Sequence, residues 1–523
     1  MIEYKKQRGF NNLPFVSDIS GDYMLTCVSP KDEDVTGLSV FSRRDGTIRH
    51  FYSGELSGFL ADPEKTRGAR RTWILSGRRW TTRRKVAEPT GIRNSTTDAA
   101  SHYCAKGDGE QMLTTPPGLK GSPNMGIARL SERLRLSQVS PAEIVANCLR
   151  HIERLNPQLN AFITVMAEQA MEQAREAEAE LKAGSWRGPL HGIPVAIKDF
   201  YDTAGVRTTA GFEHFKDRIP ATDAVVVKKL KQVGAIIIGK TNMHTMGMGT
   251  TGLESYFGPV RNPWNAEYIP GGSSSGSAAA VANGMCYATI DTDAIGSCRL
   301  PAACCGVVGF KGTYGLISPK GILEGEEDPG PMIRWFSHPA IMARTVEDVA
   351  LVLDVVAENV ESSSARYVDA MTQSRTIRIG IAENLRSDPE VSERFRKAVE
   401  AIGGLGCSTR NVVAPLRIPT DELSKIETDR RDIVDKVFRE IDILLLPTTT
   451  TIVPTVADAR DNPQALSAEN TIFANYYGLP AISVPCGFDR NGLPLGLQIV
   501  GRPWDEATVL QLAHRYYEST TRS

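Results

Sequence analysis

The sequence has no uninterrupted apolar run near the ~18–20 residues that a membrane-crossing helix needs. Its first residues also lack the apolar stretch of a secretory leader. Charge of one sign is missing too: 60 Lys and Arg against 61 Asp and Glu leave a formal net charge of −1. No overall field therefore draws the chain to nucleic acid or to an anionic membrane surface. The nine cysteines form no CxxC pair and lie at irregular positions. That argues against a disulfide scaffold and a zinc site, and for a reduced intracellular chain. These absences predict a soluble cytoplasmic protein with no membrane partner, no nucleic-acid partner and no metal. At 523 residues the chain can hold one large domain or several ordinary ones.

What is present is concentrated between Gly271 and Ser318, GGSSSGSAAAVANGMCYATIDTDAIGSCRLPAACCGVVGFKGTYGLIS. Two serine clusters lie there among glycines and small residues, with Ser273 and Ser297 separated by 24 positions. Glycine lets the backbone turn sharply and approach a ligand with its N–H groups exposed. A serine beside such amides can attack a carbonyl while the amides hold the oxyanion. Composition alone fits a small-residue helix start and a packed turn equally well.

From Met125 the pattern is regular. Ser140-Pro141-Ala142-Glu143 is a capping box with proline at the first helical position. Ile144, Val145, Cys148, Leu149 and Ile152 follow at helical spacing. A charged helix is predicted from Glu168 to Lys182. Short apolar strands then alternate with helices, at Ile193–Ile197, Ala235–Ile238, Ile377–Ile381 and Ile443–Leu446. This alternation predicts an α/β sheet buried on both faces.

Two motif matches are rejected on their context. Gly234 to Thr241 satisfies the phosphate-loop expression, but its three isoleucines read as a strand where a flexible loop is needed. Gly272 to Gly276 satisfies GxSxG, but NPWNAEYIP before it does not read as the strand a nucleophile elbow requires.

PGGSSSGSAAAVANG followed by GSCRLPAACCGVVGFKGTYGLIS resembles the amidase signature family. Four further blocks match in order: GPLHGIPVAIKDF (Gly188 to Phe200), KTNMHTMGMGTTG (Lys240 to Gly252), FGPVRNPW (Phe257 to Trp264) and NYYGLPAISVPCGF (Asn475 to Phe488). The resemblance covers about 125–518. It implies a mixed twisted sheet flanked by helices, and amide hydrolysis by a Ser–Ser–Lys triad without a cofactor. Carried onto this sequence, Ser297 is the nucleophile, Ser273 the bridging serine and Lys198 the base. It also implies a cis peptide at Gly272–Ser273 and an oxyanion hole at the amides of Ala294, Ile295, Gly296 and Ser297. Met248, Gly249, Thr250 and Thr251, with Ser274 and Tyr256, are candidates for the substrate pocket or for core packing. Lys198 ends an apolar run, a setting that desolvates an ammonium and lowers its basicity as a lysine base requires.

Other residues near the clusters read as structural. Arg299 is expected to anchor the loop through a buried ion pair with Asp293, and Cys298, Cys304 and Cys305 to be small core residues. His191 and His244 are isolated and make no metal site.

Two departures from the family pattern bear on activity. The usual TGGS reads Ala294-Ile295-Gly296-Ser297, with a β-branched residue in place of a glycine, so a tighter and more apolar pocket is expected. Between about Cys407 and Ile441 the chain is shorter than the family pattern. The implied substrate is a small-molecule amide, and a homodimer is admitted. Two alternatives stand beside the main reading. One is the A-type component of a tRNA-dependent amidotransferase with a B-type partner. The other is a degenerate fusion that keeps the fold without turnover.

The N-terminal part reads differently. Residues 1–66 resemble the C-terminal part of an uncharacterised thioredoxin-like family, with a DG turn joining strands at Gly37–Phe41 and Arg44–Phe51. From Arg67 to Arg93 nine basic residues face one acid. The stretch 67–122 therefore reads as a disordered or frameshifted linker in a gene fusion, and 123–523 as the amidase domain.

Overall fold

The computed structural model describes residues 125–521 apart from 327–329, 359–365, 374 and 419–422, together with the backbone of four strands within 15–52. Those strands are β1 (Phe15–Ser20), β2 (Tyr23–Val28), β3 (Gly37–Ser42) and β4 (Ile48–Tyr52). They form an antiparallel sheet in the order β1-β2-β3-β4. The β3–β4 hairpin is the one expected around the DG turn, with Gly37 opposite Tyr52. The basic linker lies outside the described residues. Chain contacts separate Met1–Gln111 from Met112–Ser523.

The second unit is built on one mixed sheet of eleven strands among the described residues. In chain order these are β5 (Phe162–Val165), β6 (Pro194–Lys198), β7 (Ile236–Thr241), β8 (Ala288–Asp293), β9 (Val308–Lys311) and β10 (His338–Ala343). They continue as β11 (Arg378–Ala382), β12 (Ser408–Val412), β13 (Ile443–Pro447), β14 (Ala481–Phe488) and β15 (Pro494–Gly501). The spatial order is β12-β11-β13-β15-β14-β9-β10-β8-β6-β7-β5. β6 runs parallel to both β7 and β8, whereas β8–β10 and β10–β9 are antiparallel. Each of the four strands expected from the apolar runs is present.

Why these segments become central strands follows from burial. Every residue of β6, β7 and β8 is buried. β6 and the start of β7 are continuous apolar runs, as strands covered on both faces are, whereas β8 (ATIDTD) carries buried polar residues towards the site. Helices supply the cover. The helix Pro141–Leu159 starts with the expected capping box at Ser140 and Glu143 and buries Ile144, Val145, Cys148 and Ile152. The charged helix Ala167–Lys182 buries Ala170, Ala174 and Ala177 and sets Met171 and Leu181 half-buried against the core, the narrow contact stripe of a mostly solvated helix.

Both rejected motifs are settled by the backbone. Gly239 and Lys240 lie inside strand β7, with Lys240 Nζ donating to Tyr201 O at 2.7 Å and Thr208 Oγ1 at 2.6 Å. No phosphate-facing loop exists there. The residues before Ser273 form no strand; Tyr268 makes only an isolated bridge to Thr455.

Candidate active site

Three strands and one helix converge on Lys198. It is the last residue of β6, and its side chain is fully buried. Lys198 Nζ donates to Ser273 Oγ at 2.7 Å and to Thr292 Oγ1 at 2.8 Å. The Phe200 ring lies 5.7 Å from the same nitrogen. Burial pushes the ammonium down to about 8, against the opposing pull of Asp291. A lysine in that range is partly neutral near physiological pH and can accept a proton.

Ser273 stands on the loop that leads into the helix Ser275–Ala282. Its peptide bond to Gly272 is cis, as the resemblance implies. Gly272 is tied to glycine by crowding: a Cβ there would sit 2.9 Å from Gly252 N and 3.1 Å from Gly249 O. Ser297 lies on the neighbouring turn between β8 and the helix Arg299–Cys305. The Ser274 N–H donates to Ser297 O at 3.1 Å, so backbone contact holds the two serine loops side by side. Both Ser273 and Ser297 are buried.

The turn carrying Ser297 is held by a buried clamp. Arg299 Nη2 and Nε meet Asp293 Oδ1 and Oδ2, both at 2.9 Å. The remaining donors reach Thr471 O at 3.1 Å, Gln498 Oε1 at 2.5 Å and Asn475 Oδ1 at 2.6 Å. Burial pushes the Asp293 carboxyl up, but the Arg299 charge and the Arg299 and Asn475 hydrogen bonds outweigh it and hold it below the usual carboxylate range. The expected Arg299–Asp293 pair is present, with both side chains fully buried.

The expected oxyanion set needs one correction. The Gly296 N–H donates to Asp293 Oδ1 at 2.8 Å, so it is already engaged within the turn. Among the described residues, no protein group accepts from the N–H of Ala294, Ile295 or Ser297. Ile295 fits without a positive φ. The left-handed position falls on Gly296 at φ 123°, where a Cβ would meet Thr471 Oγ1 at 2.3 Å. The substitution in the TGGS pattern therefore falls where the backbone tolerates a branched side chain. Half-buried Ile295 packs against two buried apolar clusters, one containing Ile269, Leu300 and Cys304 and the other Phe336, Ile426, Ile472 and Tyr476.

The weaker pocket candidates separate. Thr250 Oγ1 donates to Leu466 O at 2.8 Å, so its proton is committed to loop packing. Gly249 lies against the His244 ring, where a Cβ would approach to 2.3 Å. Met248 stays 37 % exposed, and Ser274 Oγ donates to Thr292 O at 3.4 Å. Cys298, Cys304 and Cys305 are buried, and burial pushes the Cys304 thiol up to about 12, which keeps it from acting as a nucleophile. His191 faces Glu180 at 3.1 Å and His244 faces Glu254 at 3.7 Å.

Sequence reasoning missed Thr292 and Asp291 beside the lysine, and Thr471, Asn475 and Gln498 around Arg299. The last three lie more than 170 positions from Arg299 in the chain, and no local spacing announces such contacts.

The fold and this site can be set beside known proteins. The Amidase family model matches residues 143–420 and 420–510. The chain belongs to the amidase family. The two matched segments meet at residue 420, inside the stretch that reads as shortened. Curated relatives include the A-type component of glutamyl-tRNA(Gln) amidotransferase from Prochlorococcus marinus (strain NATL2A). It is 32% identical over 475 residues, covering 74% of this chain and 96% of the relative. The component of the same name from Hahella chejuensis (strain KCTC 2396) is 34% identical over 480 residues, covering 75% and 97%. Among solved structures, 6-aminohexanoate cyclic dimer hydrolase complexed with substrate superposes with a TM-score of 0.67 at 25% identity, covering 76% of this chain and 97% of that one. Peptide amidase from Stenotrophomonas maltophilia gives a TM-score of 0.65 at 25% identity, covering 77% and 98%. Amide hydrolysis is thus the chemistry of the family, and among the described residues no helix is long and apolar enough to cross a membrane.

Proposed function

We propose that this chain hydrolyses a carboxamide C–N bond through an acyl-enzyme on Ser297. The observation that carries the proposal is the buried Lys198 Nζ at 2.7 Å from Ser273 Oγ, on the loop beside Ser297. Lys198 in its neutral form takes the Ser273 proton while Ser273 takes that of Ser297. Ser297 Oγ then attacks the amide carbon, and the N–H groups of Ala294, Ile295 and Ser297 stand ready for the oxyanion. The proton returns through Ser273 to the departing ammonia or amine, and water releases the acid by the same relay.

Two readings of the substrate have separate support. The curated relatives are named as A-type components of an amidotransferase, which favours glutamine as the amide and a B-type partner as the acceptor of ammonia. This reading has the stronger backing from the comparisons. Ile295, packed against two apolar clusters beside the Ser297 turn, favours a free-standing amidase with an apolar acyl group.

The test is intact-protein mass spectrometry after a fluorophosphonate, on wild type, Ser297→Ala and Lys198→Ala. One adduct, lost in Ser297→Ala and slowed by about 100-fold or more in Lys198→Ala, is the expected result. A folded wild type that takes no adduct would sink the proposal. Ammonia release from glutamine with a B-type partner, set against a panel of apolar amides without it, then separates the two readings.

A further inference from the structure

Lys198 has a buried acidic neighbour that the relay above does not use. In the parallel ladder Ile197 of β6 pairs with Ile290 of β8, so the next step sets Lys198 beside Asp291. Across β6 the partner of Lys198 is Thr241, and across β8 the partner of Asp291 is Ala340. Thr241, Lys198 and Asp291 thus form one polar row over three adjacent strands. The row faces the helix Ser275–Ala282, where Thr241 Oγ1 meets Ser277 Oγ at 2.7 Å.

Asp291 is fully buried. Its Oδ2 accepts from Thr289 Oγ1 at 2.5 Å; its Oδ1 makes no hydrogen bond of good geometry, although the Ser277 and Ser274 hydroxyls stand near enough to draw the carboxyl down. A buried carboxylate oxygen left open costs free energy unless a nearby charge compensates it. The ionisable groups around it are few. Lys198 comes from β6, the thiols of Cys286 and Cys298 flank the strand, and the Tyr201 hydroxyl donates to Asp291 O at 2.6 Å. Ser274, Ser277 and Thr289 contribute only hydroxyls, and Ala340 nothing ionisable. Lys198 in turn feels Asp291, Asp293 and Cys298. Asp293 is committed to Arg299 and the thiol is neutral, so Asp291 is the acid left to answer the lysine.

We infer that Asp291 is a positioning residue for the base: its carboxylate steadies the ammonium that Lys198 becomes when it takes the Ser273 proton. The inference rests on the reading of Lys198 as base. No bond other than O–H and N–H changes, and Asp291 itself keeps its proton count. Burial raises the Asp291 carboxyl and the Lys198 charge opposes that rise, so the two groups stabilise each other's charged forms. Without the carboxylate the lysine would be a weaker base, neutral at lower pH.

The experiment is Asp291→Asn in the full chain, with the rate of fluorophosphonate inactivation followed across pH. The acid limb should move to lower pH by ~1–2 units, with a plateau several-fold below wild type because the base is weaker. A merely structural role would lower the plateau and leave the limb in place. A limb that does not move, or moves to higher pH, in a folded variant overturns the inference. Should Asp291→Asn fail to fold, Asp291→Ser removes the same charge with a smaller polar side chain and is expected to move the limb in the same direction; no shift there is equally fatal. A second readout does not need turnover. The side-chain 13Cε resonance that disappears in Lys198→Ala is titrated in wild type and in Asp291→Asn, and equal midpoints refute the inference even if the wild type takes no adduct. An inert wild type with a shifted midpoint would sink the proposed hydrolysis alone.

Discussion

Arg299→Met is the perturbation whose cost can be worked from the structure. The guanidinium has five N–H donors, and five contacts consume them: two to Asp293 and one each to Thr471 O, Gln498 Oε1 and Asn475 Oδ1. Methionine fills much of the volume but leaves Asp293 as a buried, unpaired carboxylate. Breaking a buried pair in this way costs about 3–5 kcal/mol, a large share of a typical folding free energy of about 5–15 kcal/mol. With an unfolding entropy of about 2 cal/mol/K per residue over Met112–Ser523, the melting temperature should fall by about 3–6 °C. The pH dependence supplies a second check. Asp293 is held below its unfolded value in the wild type, so its contribution is present above the usual carboxylate pKa and is lost only as pH falls through the lower folded one. In Arg299→Met the main opponent of burial is gone and only donors such as Gly296 N–H and Asn475 Nδ2 remain, so the group protonates more readily and the deficit relative to wild type should narrow as pH falls. Adding Asp293→Asn should likewise recover part of the loss, because the stranded charge is gone. Calorimetry on the three variants reads all of this. A loss below about 1 kcal/mol, or a deficit indifferent both to acid and to Asp293→Asn, would refute the account of the clamp.

Other variants address the pocket. Ile295→Gly removes a half-buried side chain that packs against two apolar clusters, and kcat/KM should fall about 10-fold or more for apolar amides and rise for glutamine; identical ratios in variant and wild type would remove Ile295 from specificity. Thr250→Val leaves Leu466 O without its donor and should cost about 1–3 kcal/mol in urea titration with substrate preference unchanged. A changed preference with unchanged stability would return Thr250 to the pocket.

Much of the frame is legible in the sequence because its causes are local. The Ser140–Glu143 capping box fixes where a helix starts, and short runs of isoleucine, valine and leucine fix β6, β7, β11 and β13. Gly234–Thr241 could be denied a phosphate-loop role from its isoleucines alone, since a chain so apolar gains more by burial in a sheet than by offering its amides to phosphate. The two serines and Lys198 were nameable from motif blocks, and the Arg299–Asp293 pair from two opposite charges six positions apart.

The tertiary structure decided the matters that depend on distant parts of the chain. The sequence could name the amides of the Ser297 turn, but only the folded turn shows that Gly296 gives its N–H to Asp293. Ile295 stands where the family pattern has a glycine; the fold places the positive φ on Gly296, so the branched residue is harmless to the turn. Thr250 looked free to line a pocket until Leu466, more than 200 positions away, took its hydroxyl proton. The setting of Lys198 beside Thr292 and Asp291 comes from strand register. Register is a property of two strands that pair across nearly 100 residues of intervening chain, and neither strand encodes it by itself.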